Sequence, residues 1–231
     1  MFVLLLSSVG DESRGALNVI SREYPRQGLQ WKGGPRHVQA GYHYRHIPVA
    51  KYRLPHNSCH MPFAYFDRLS PARKRIYLRS DSIEQVDLPQ SPSAERLVKD
   101  MESALASENR GEAERFAQAL LNDLCVRLKV PRVRVRVLSV RPSGNWGELH
   151  GLYEPFDDGT PPLITVWMRT VAKKQVVAFK TFLRTVLHEL CHHLDYELYK
   201  LPETFHTQGF YKRESSLYYQ LRGEPQKSVS A

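Results

Sequence analysis

Apolar residues recur at intervals of three and four in several segments of this chain, the spacing of an amphipathic α-helix. Two such segments run over Ala94–Ser107 and Glu112–Lys129, and a shorter one covers Glu214–Leu221 with a start as early as Thr207. The most strongly patterned segment is Gln175–Leu198. Its apolar positions are Val176, Phe179, Leu183, Val186, Leu187, Leu190, Cys191 and Leu194. The last segment therefore predicts a long, largely buried helix.

Strict alternation marks a half-buried strand at Arg132–Val137, with valines facing inward and arginines outward. Leu149–Glu154 and Leu163–Arg169 predict two more strands, joined through a turn that contains Asp157-Asp158-Gly159. Runs of strands beside runs of helices indicate an α+β fold. We expect a small, mostly antiparallel sheet packed on helices.

The chain before about residue 92 has no sustained periodicity, although a short ordered element is expected around Phe66–Leu78. We predict a weakly patterned basic N-terminal region over residues 1–92, which need not fold, and a domain over residues 93–231. The 231 residues carry a net charge of +9, of which +6 lies in residues 1–92. This surplus permits association with DNA but does not require it.

The three cysteines, Cys59, Cys125 and Cys191, form no CxxC pair, which argues against a cysteine-based zinc site and against a disulfide framework. No stretch approaches the roughly 20 apolar residues that span a bilayer, and the short apolar start lacks the features of a signal peptide. We expect a cytoplasmic protein with no membrane partner.

The long helix contains the motif His188-Glu189-Leu190-Cys191-His192, or HExxH. Residues four apart on a helix are about 40° and 6 Å apart, so both imidazoles can reach one ion. Glu189 follows the first ligand and can accept a proton from a water that the metal makes acidic. The sequence therefore predicts one Zn²⁺ ion held by His188 and His192, with Glu189 as general base.

A catalytic zinc site usually has three protein ligands, so a third is needed. His206 lies beyond a turn at Leu201-Pro202, where the chain can fold back, and Glu203 and Glu214 are alternatives. The pattern HExxHxxGxxH does not apply, because Asp195 takes the place of its glycine and Leu198 that of its third histidine.

Other polar residues near the motif have candidate supporting roles. Asp195 lies one turn beyond His192 and can orient that ligand through a hydrogen bond. A transition-state oxyanion needs a donor besides the metal, and Tyr211, Arg213 and Tyr153 are candidates. His150, on a predicted strand, is more readily explained as an ordinary strand residue.

The segment His206-Thr207-Gln208-Gly209-Phe210 resembles the His-x-x-x-Phe element that follows HExxH in the SprT-like (Spartan-like) metallopeptidases. The order of helix, three strands, motif helix and third-ligand segment is also similar, over roughly residues 112–222. The resemblance implies a zincin-like fold with His188, His192 and His206 as ligands and Glu189 as base. Thr207 and Gln208 depart from the family's usual glycine and its neighbour, so the substrate of this chain can differ.

These observations predict a zinc-dependent metallopeptidase. The resemblance implies protein or peptide substrates, in some relatives proteins crosslinked to DNA, and a substrate backbone paired along Leu163–Arg169. One alternative is a non-catalytic, zinc-stabilised module that binds nucleic acid or protein. Another is a regulatory peptidase that acts on one cellular protein and uses residues 1–92 as a recognition arm.

Overall fold

A computed structural model describes residues 2–6, 19–23, 63–144, 147–155 and 159–224. Five α-helices lie in these ranges: α1 Pro71–Asp81, α2 Pro92–Ala106, α3 Arg110–Arg127, α4 Phe179–Glu197 and α5 Gln208–Arg222. The strands in the same ranges are β1 Phe2–Leu6, β2 Val19–Glu23, β3 Arg134–Val140, β4 Ser143–Gly144, β5 Gly147–Glu154 and β6 Leu163–Arg169. The prediction of an α+β chain is confirmed.

The sheet has the strand order β2-β1-β5-β6-β3, with the short β4 paired to β5. Only the pairing of β3 with β6 is parallel, and the other pairs are antiparallel. Helix α4 packs against β5 and β6 on one side and contacts α5 on the other, while α3 packs on β3. The apolar core therefore lies between the inner face of the sheet and the helices.

Strand β6 is interior to the sheet, which corrects the prediction that a substrate backbone pairs along it. Val166 of β6 lies opposite Gly151 of β5 on one side and Val137 of β3 on the other. Five consecutive residues of β6, from Ile164 to Met168, are buried. A continuous buried run is typical of a central strand, because both of its faces are covered.

Strand β3 ends the sheet on the side away from β5, and side chains of α3 occupy its outer edge. The amide of Gln118 donates to the carbonyl of Val133 at 3.0 Å and accepts from the N–H of Val135 at 2.8 Å. The carboxylate of Glu114 accepts from the N–H of Val137 at 2.8 Å. These hydrogen bonds satisfy backbone N–H and C=O groups that could otherwise pair with another strand.

Helix α4 begins at Phe179, four residues after the predicted start at Gln175. Val176 instead forms an antiparallel bridge with Arg169, and the N–H of Thr170 donates to the carbonyl of Gln175 at 2.9 Å. The apolar period continues into this hairpin because its residues also face the core.

Helix α1 contacts the later helix α5, although it lies before the domain boundary predicted at residue 92. The guanidinium of Arg213 donates to the carbonyl of Ser80 at 2.6 Å, and the N–H of Gly209 donates to the Asp81 carboxylate at 2.9 Å. A Cβ on Gly209 would lie 2.2 Å from the carbonyl oxygen of Asp81. The short ordered element expected around Phe66–Leu78 overlaps α1, but apolar periodicity did not identify it as a helix, because two of its buried residues, Ser80 and Asp81, are polar.

Candidate metal centre

Three histidine side chains converge at the centre of the described fold. The Nε2 atoms of His188 and His206 are 2.9 Å apart, and those of His206 and His192 are 3.1 Å apart. The residues are 2%, 4% and 0% exposed, in that order. One ligand atom from each lies within 4.8 Å of the others, so the three can hold a metal ion. The predicted convergence of His206 on the two motif histidines is confirmed.

The chain after α4 folds back sharply enough to bring His206 to this point. The N–H of Leu201 donates to the carbonyl of Asp195 at 2.8 Å, which closes the turn after the helix. Thr207 then caps α5, since its hydroxyl accepts from the N–H of Phe210 at 3.0 Å. The hydroxyl of Tyr65, from the segment before α1, donates to the carbonyl of His206 at 3.0 Å. His206 is thus held at both sides.

The two alternative ligands have other roles. Glu203 forms an ion pair with Arg73, at 2.8 and 2.5 Å. Glu214 lies behind His188, with its carboxylate 3.2 Å from Nδ1, and accepts from Arg184 at 2.8 Å. Such a partner fixes the ring orientation of a metal ligand and leaves Nε2 free to bind. Among the described residues, the cluster that could hold a metal ion consists of the three histidines and includes neither glutamate.

His192 is oriented through a residue that the sequence did not point to, Thr204. The Thr204 oxygen lies 2.8 Å from Nδ1 of His192, and its hydroxyl donates to Asp195 at 2.6 Å. Because Thr204 has a single proton to give, it must accept from Nδ1–H of His192. The Nε2 lone pair of His192 then faces the triad. Asp195 acts on His192 indirectly, and it also pairs with Arg213 at 2.7 Å.

The surroundings of His192 and His206 favour the neutral imidazole, which is the form that binds metal. Burial lowers the pKa of His192 well below its ordinary value, and the positive charge of neighbouring His206 and His188 lowers it further. Burial and His188 likewise lower the pKa of His206. Metal binding needs the neutral ring, so the site does not have to lose a proton from these groups at neutral pH.

Glu189 is the second unusual group of the centre. Its side chain is fully buried, and neither carboxylate oxygen has a hydrogen-bond partner among the residues that the structure describes. Burial raises its pKa well above the ordinary value, and the negative charge of Glu214 adds to this effect. A buried carboxyl group without a partner is costly. Helix α4 therefore carries a buried polar group without a described hydrogen-bond partner, in the same motif as two of the three possible metal ligands.

Gly151 of β5 makes the space for Glu189. A Cβ at this position would lie 2.3 Å from Oε1 of Glu189 and 2.8 Å from Cγ2 of Thr185, distances that real Cβ atoms do not show. The strand thus approaches α4 more closely at this residue than any side chain permits. Thr204 and Gly151 are the two supporting residues that sequence reasoning missed, since neither stands out in any motif.

The three candidates for an oxyanion donor differ in whether their donor groups already have partners in the described structure. The Tyr153 hydroxyl lies 3.1 Å from Nδ1 of His193. The guanidinium of Arg213 donates hydrogen bonds to Asp195 and to the carbonyl of Ser80, at the end of α1. Tyr211 differs, because its hydroxyl is buried and has no hydrogen-bond partner in the described residues. Its ring stacks on that of His206, with centroids 5.9 Å apart and an interplanar angle of 15°.

His150 lies outside the centre. Its Nε2 lies 3.5 Å from the guanidinium of Arg141, and the three clustered histidines take no part in this contact. Burial lowers the pKa of His150 to about 3, and the charge of Arg141 contributes, so the ring is neutral. Its interpretation as an ordinary strand residue agrees with this position.

The donor set suits Zn²⁺, which binds neutral imidazole nitrogens at about 2.0–2.1 Å and, in catalytic sites, leaves a fourth position open. Among the described residues, three histidines without a fourth ligand, and the unpartnered carboxylate of Glu189 in the same motif, fit that pattern.

Within the described ranges, no helix combines the length and the apolar character needed to cross a bilayer.

Comparison with known proteins adds no family. No protein-family model matches the chain, and neither a curated protein nor a solved structure does. The resemblance to SprT-like metallopeptidases therefore depends on the motif residues and on the order of the elements around them.

Proposed function

We propose that this chain is a zinc-dependent metallopeptidase of the zincin type that hydrolyses peptide bonds in proteins. The observation that carries the proposal is a cluster of three buried imidazoles, together with a fully buried, unpartnered carboxylate, Glu189, in the HExxH motif that supplies two of them. A structural zinc site is usually closed by four protein ligands and has no need of such a carboxylate. The arrangement also agrees with the family that the motif resembles.

Each residue of the centre has a separate role in the proposed peptide hydrolysis. His188, His192 and His206 would hold one zinc ion, which when bound supplies a Lewis acid that polarises a carbonyl and acidifies a water. Glu189 takes a proton from the attacking water and passes it to the leaving amine. Its raised pKa favours holding that proton between the two transfers. Glu214 and Thr204 keep the ligand rings oriented.

The substrate backbone belongs beside β5 in this proposal, since β5 brings Gly151 against Glu189. Strand β1 pairs antiparallel with this edge of β5, and Leu4 lies opposite Gly151. An extended substrate segment that used the same backbone groups would replace β1 there, by strand addition. The opposite edge of the sheet is not available, because Gln118 and Glu114 occupy it.

The experiment that tests the function compares Glu189→Gln with wild type. We expect the variant to keep its zinc and to lose at least about 10²-fold in the rate of casein hydrolysis, because the general base is removed. Glu197→Gln is the matched control, since Glu197 lies on the same helix and pairs only with exposed Lys200 in the described structure. It should hydrolyse casein at the wild-type rate.

The rival function is a zinc-stabilised binding module for nucleic acid or protein. Arg132, Arg134 and Arg136 favour it to a degree, because they are exposed and form no ion pair within the described residues. A binding module predicts bound zinc, association with DNA and no hydrolysis by wild type or by either variant. That result would reject the peptidase.

A further inference from the structure

Tyr211 presents a hydroxyl group that the fold does not use. The oxygen is buried and has no hydrogen-bond partner among the described residues. The ring, by contrast, is fully engaged: it stacks on His206 and meets Phe63 edge to face, with centroids 6.2 Å apart. A phenylalanine would make these ring contacts equally well. Packing therefore explains the ring of Tyr211 and leaves its hydroxyl unexplained.

An unpartnered buried hydroxyl lowers the stability of a protein, because it gives up its bonds to water and gains none. Buried polar groups without partners are rare in folded proteins, and those that persist call for an explanation such as a catalytic role. Other polar side chains around the triad have partners: Glu214 pairs with His188, Thr204 with His192 and Asp195 with Arg213. Among the described residues, Glu189 and Tyr211 differ from these because none of their side-chain oxygens has a partner, and Glu189 already has a function in the proposal.

The position of Tyr211 suits a group that acts on a reacting carbonyl. Its ring centroid lies 5.9 Å from that of His206 and 6.1 Å from that of His188, so it borders two of the three ligands. Residue 211 is in the first turn of α5, and the helix is held in place by the Thr207 cap and the contact of Gly209 with Asp81. A rigid donor is what oxyanion stabilisation requires.

We propose that Tyr211 is a catalytic residue that donates a hydrogen bond to the oxygen of the scissile carbonyl as that oxygen becomes negatively charged. This inference rests on the proposed peptidase function. When water adds, its oxygen bonds to the carbonyl carbon, the C=O π electrons move to the carbonyl oxygen, and a water proton passes to Glu189. Tyr211 keeps its own proton throughout. When the C–N bond breaks, the carbonyl re-forms and the amine takes the proton from Glu189.

The test is Tyr211→Phe, which removes the hydroxyl and keeps the ring. We expect kcat for casein hydrolysis to fall about 10²-fold, the usual effect of losing one oxyanion donor. KM, zinc content and zinc affinity against a competing chelator should stay at wild-type values. The melting temperature should be equal or higher, because an unsatisfied hydroxyl has been removed. Affinity for a phosphinic peptide, which mimics the tetrahedral state, should fall in parallel with kcat.

Tyr219→Phe is the matched control. Tyr219 lies two turns later on α5, half-buried against Tyr218, and should give wild-type values in every measurement. Wild-type kcat in Tyr211→Phe, beside an active wild type and an inactive Glu189→Gln, would overturn the role of Tyr211 alone. A zinc-loaded wild type that hydrolyses no protein would overturn the peptidase, and this inference with it. A loss of zinc or of folding in Tyr211→Phe would identify a structural residue and equally reject the proposal.

Discussion

At the scale of single residues, the centre depends on side chains that never touch the metal position. The Nδ1 atoms of His188 and His192 are each bound to a different partner, Glu214 and Thr204. Each partner sets the tautomer of its ring, so both Nε2 lone pairs point inward before any ion arrives. A preorganised set of ligands loses less conformational entropy on binding than three freely rotating rings do.

Replacement of Thr204 tests this role. Thr204→Val keeps the shape of the side chain but cannot accept from His192, whereas Thr204→Ser retains the hydroxyl. We expect zinc affinity, measured by competition with a chelator, to fall about 10- to 100-fold in Thr204→Val and to change little in Thr204→Ser. The spectrum of the Co²⁺-substituted protein should change in the valine variant only. Equal zinc affinity in the two variants would contradict the role of Thr204.

At the scale of elements, the closest contact in the site is between a strand and a helix. Strand β5 passes α4 so closely that a Cβ at position 151 would overlap Glu189 and Thr185 in their present positions. The sheet therefore affects Glu189, the proposed general base, through the close approach of its backbone. A side chain at this position would have to displace the carboxylate from its pocket.

The close contact between β5 and α4 leads to a prediction for the variant Gly151→Ala. The added methyl group overlaps Oε1 of Glu189, so the carboxylate must rotate away, and kcat should fall towards the value of Glu189→Gln while zinc content is unchanged. Overpacking of this kind also costs about 1–3 kcal/mol of stability, which a urea titration would measure. Gly111→Ala is the control, because its Cβ would meet nothing closer than 3.7 Å. Full activity in Gly151→Ala would refute the close packing.

The elements differ in how far their sequence reveals them. Helices α2, α3 and α4 and strands β3, β5 and β6 follow from apolar periodicity, because each buries one face or one continuous run. Helix α1 does not, since hydrogen bonds to Arg213 and Gly209 fix it rather than an apolar stripe. The interior position of β6 depends on which strands pair, which the local pattern of a strand does not contain. The clustering of His188, His192 and His206 could be predicted, because ligand chemistry dictates residue type and spacing. Thr204 and Gly151 could not, because their contributions depend on geometry alone.

At the scale of the whole molecule, the centre joins parts of the chain that are distant in sequence. Helix α4 supplies two histidines, the segment before α5 supplies the third, and Tyr65 holds that segment from the N-terminal side of α1. The buried pair of Arg213 and Asp195 extends the connection from Thr204 to the end of α1. An ion bound here would link these parts directly, so metal binding should stabilise the fold that contains them.

X-ray absorption at the zinc edge of the purified full chain tests the central claim most directly. One zinc ion per chain is expected, with three imidazole nitrogens at about 2.0–2.1 Å and no sulfur neighbour. His206→Ala should lose one imidazole from this shell, while Glu189→Gln should leave the three nitrogens unchanged. A protein that binds no zinc, a sulfur neighbour at about 2.3 Å, or an unaltered shell in His206→Ala would contradict the account.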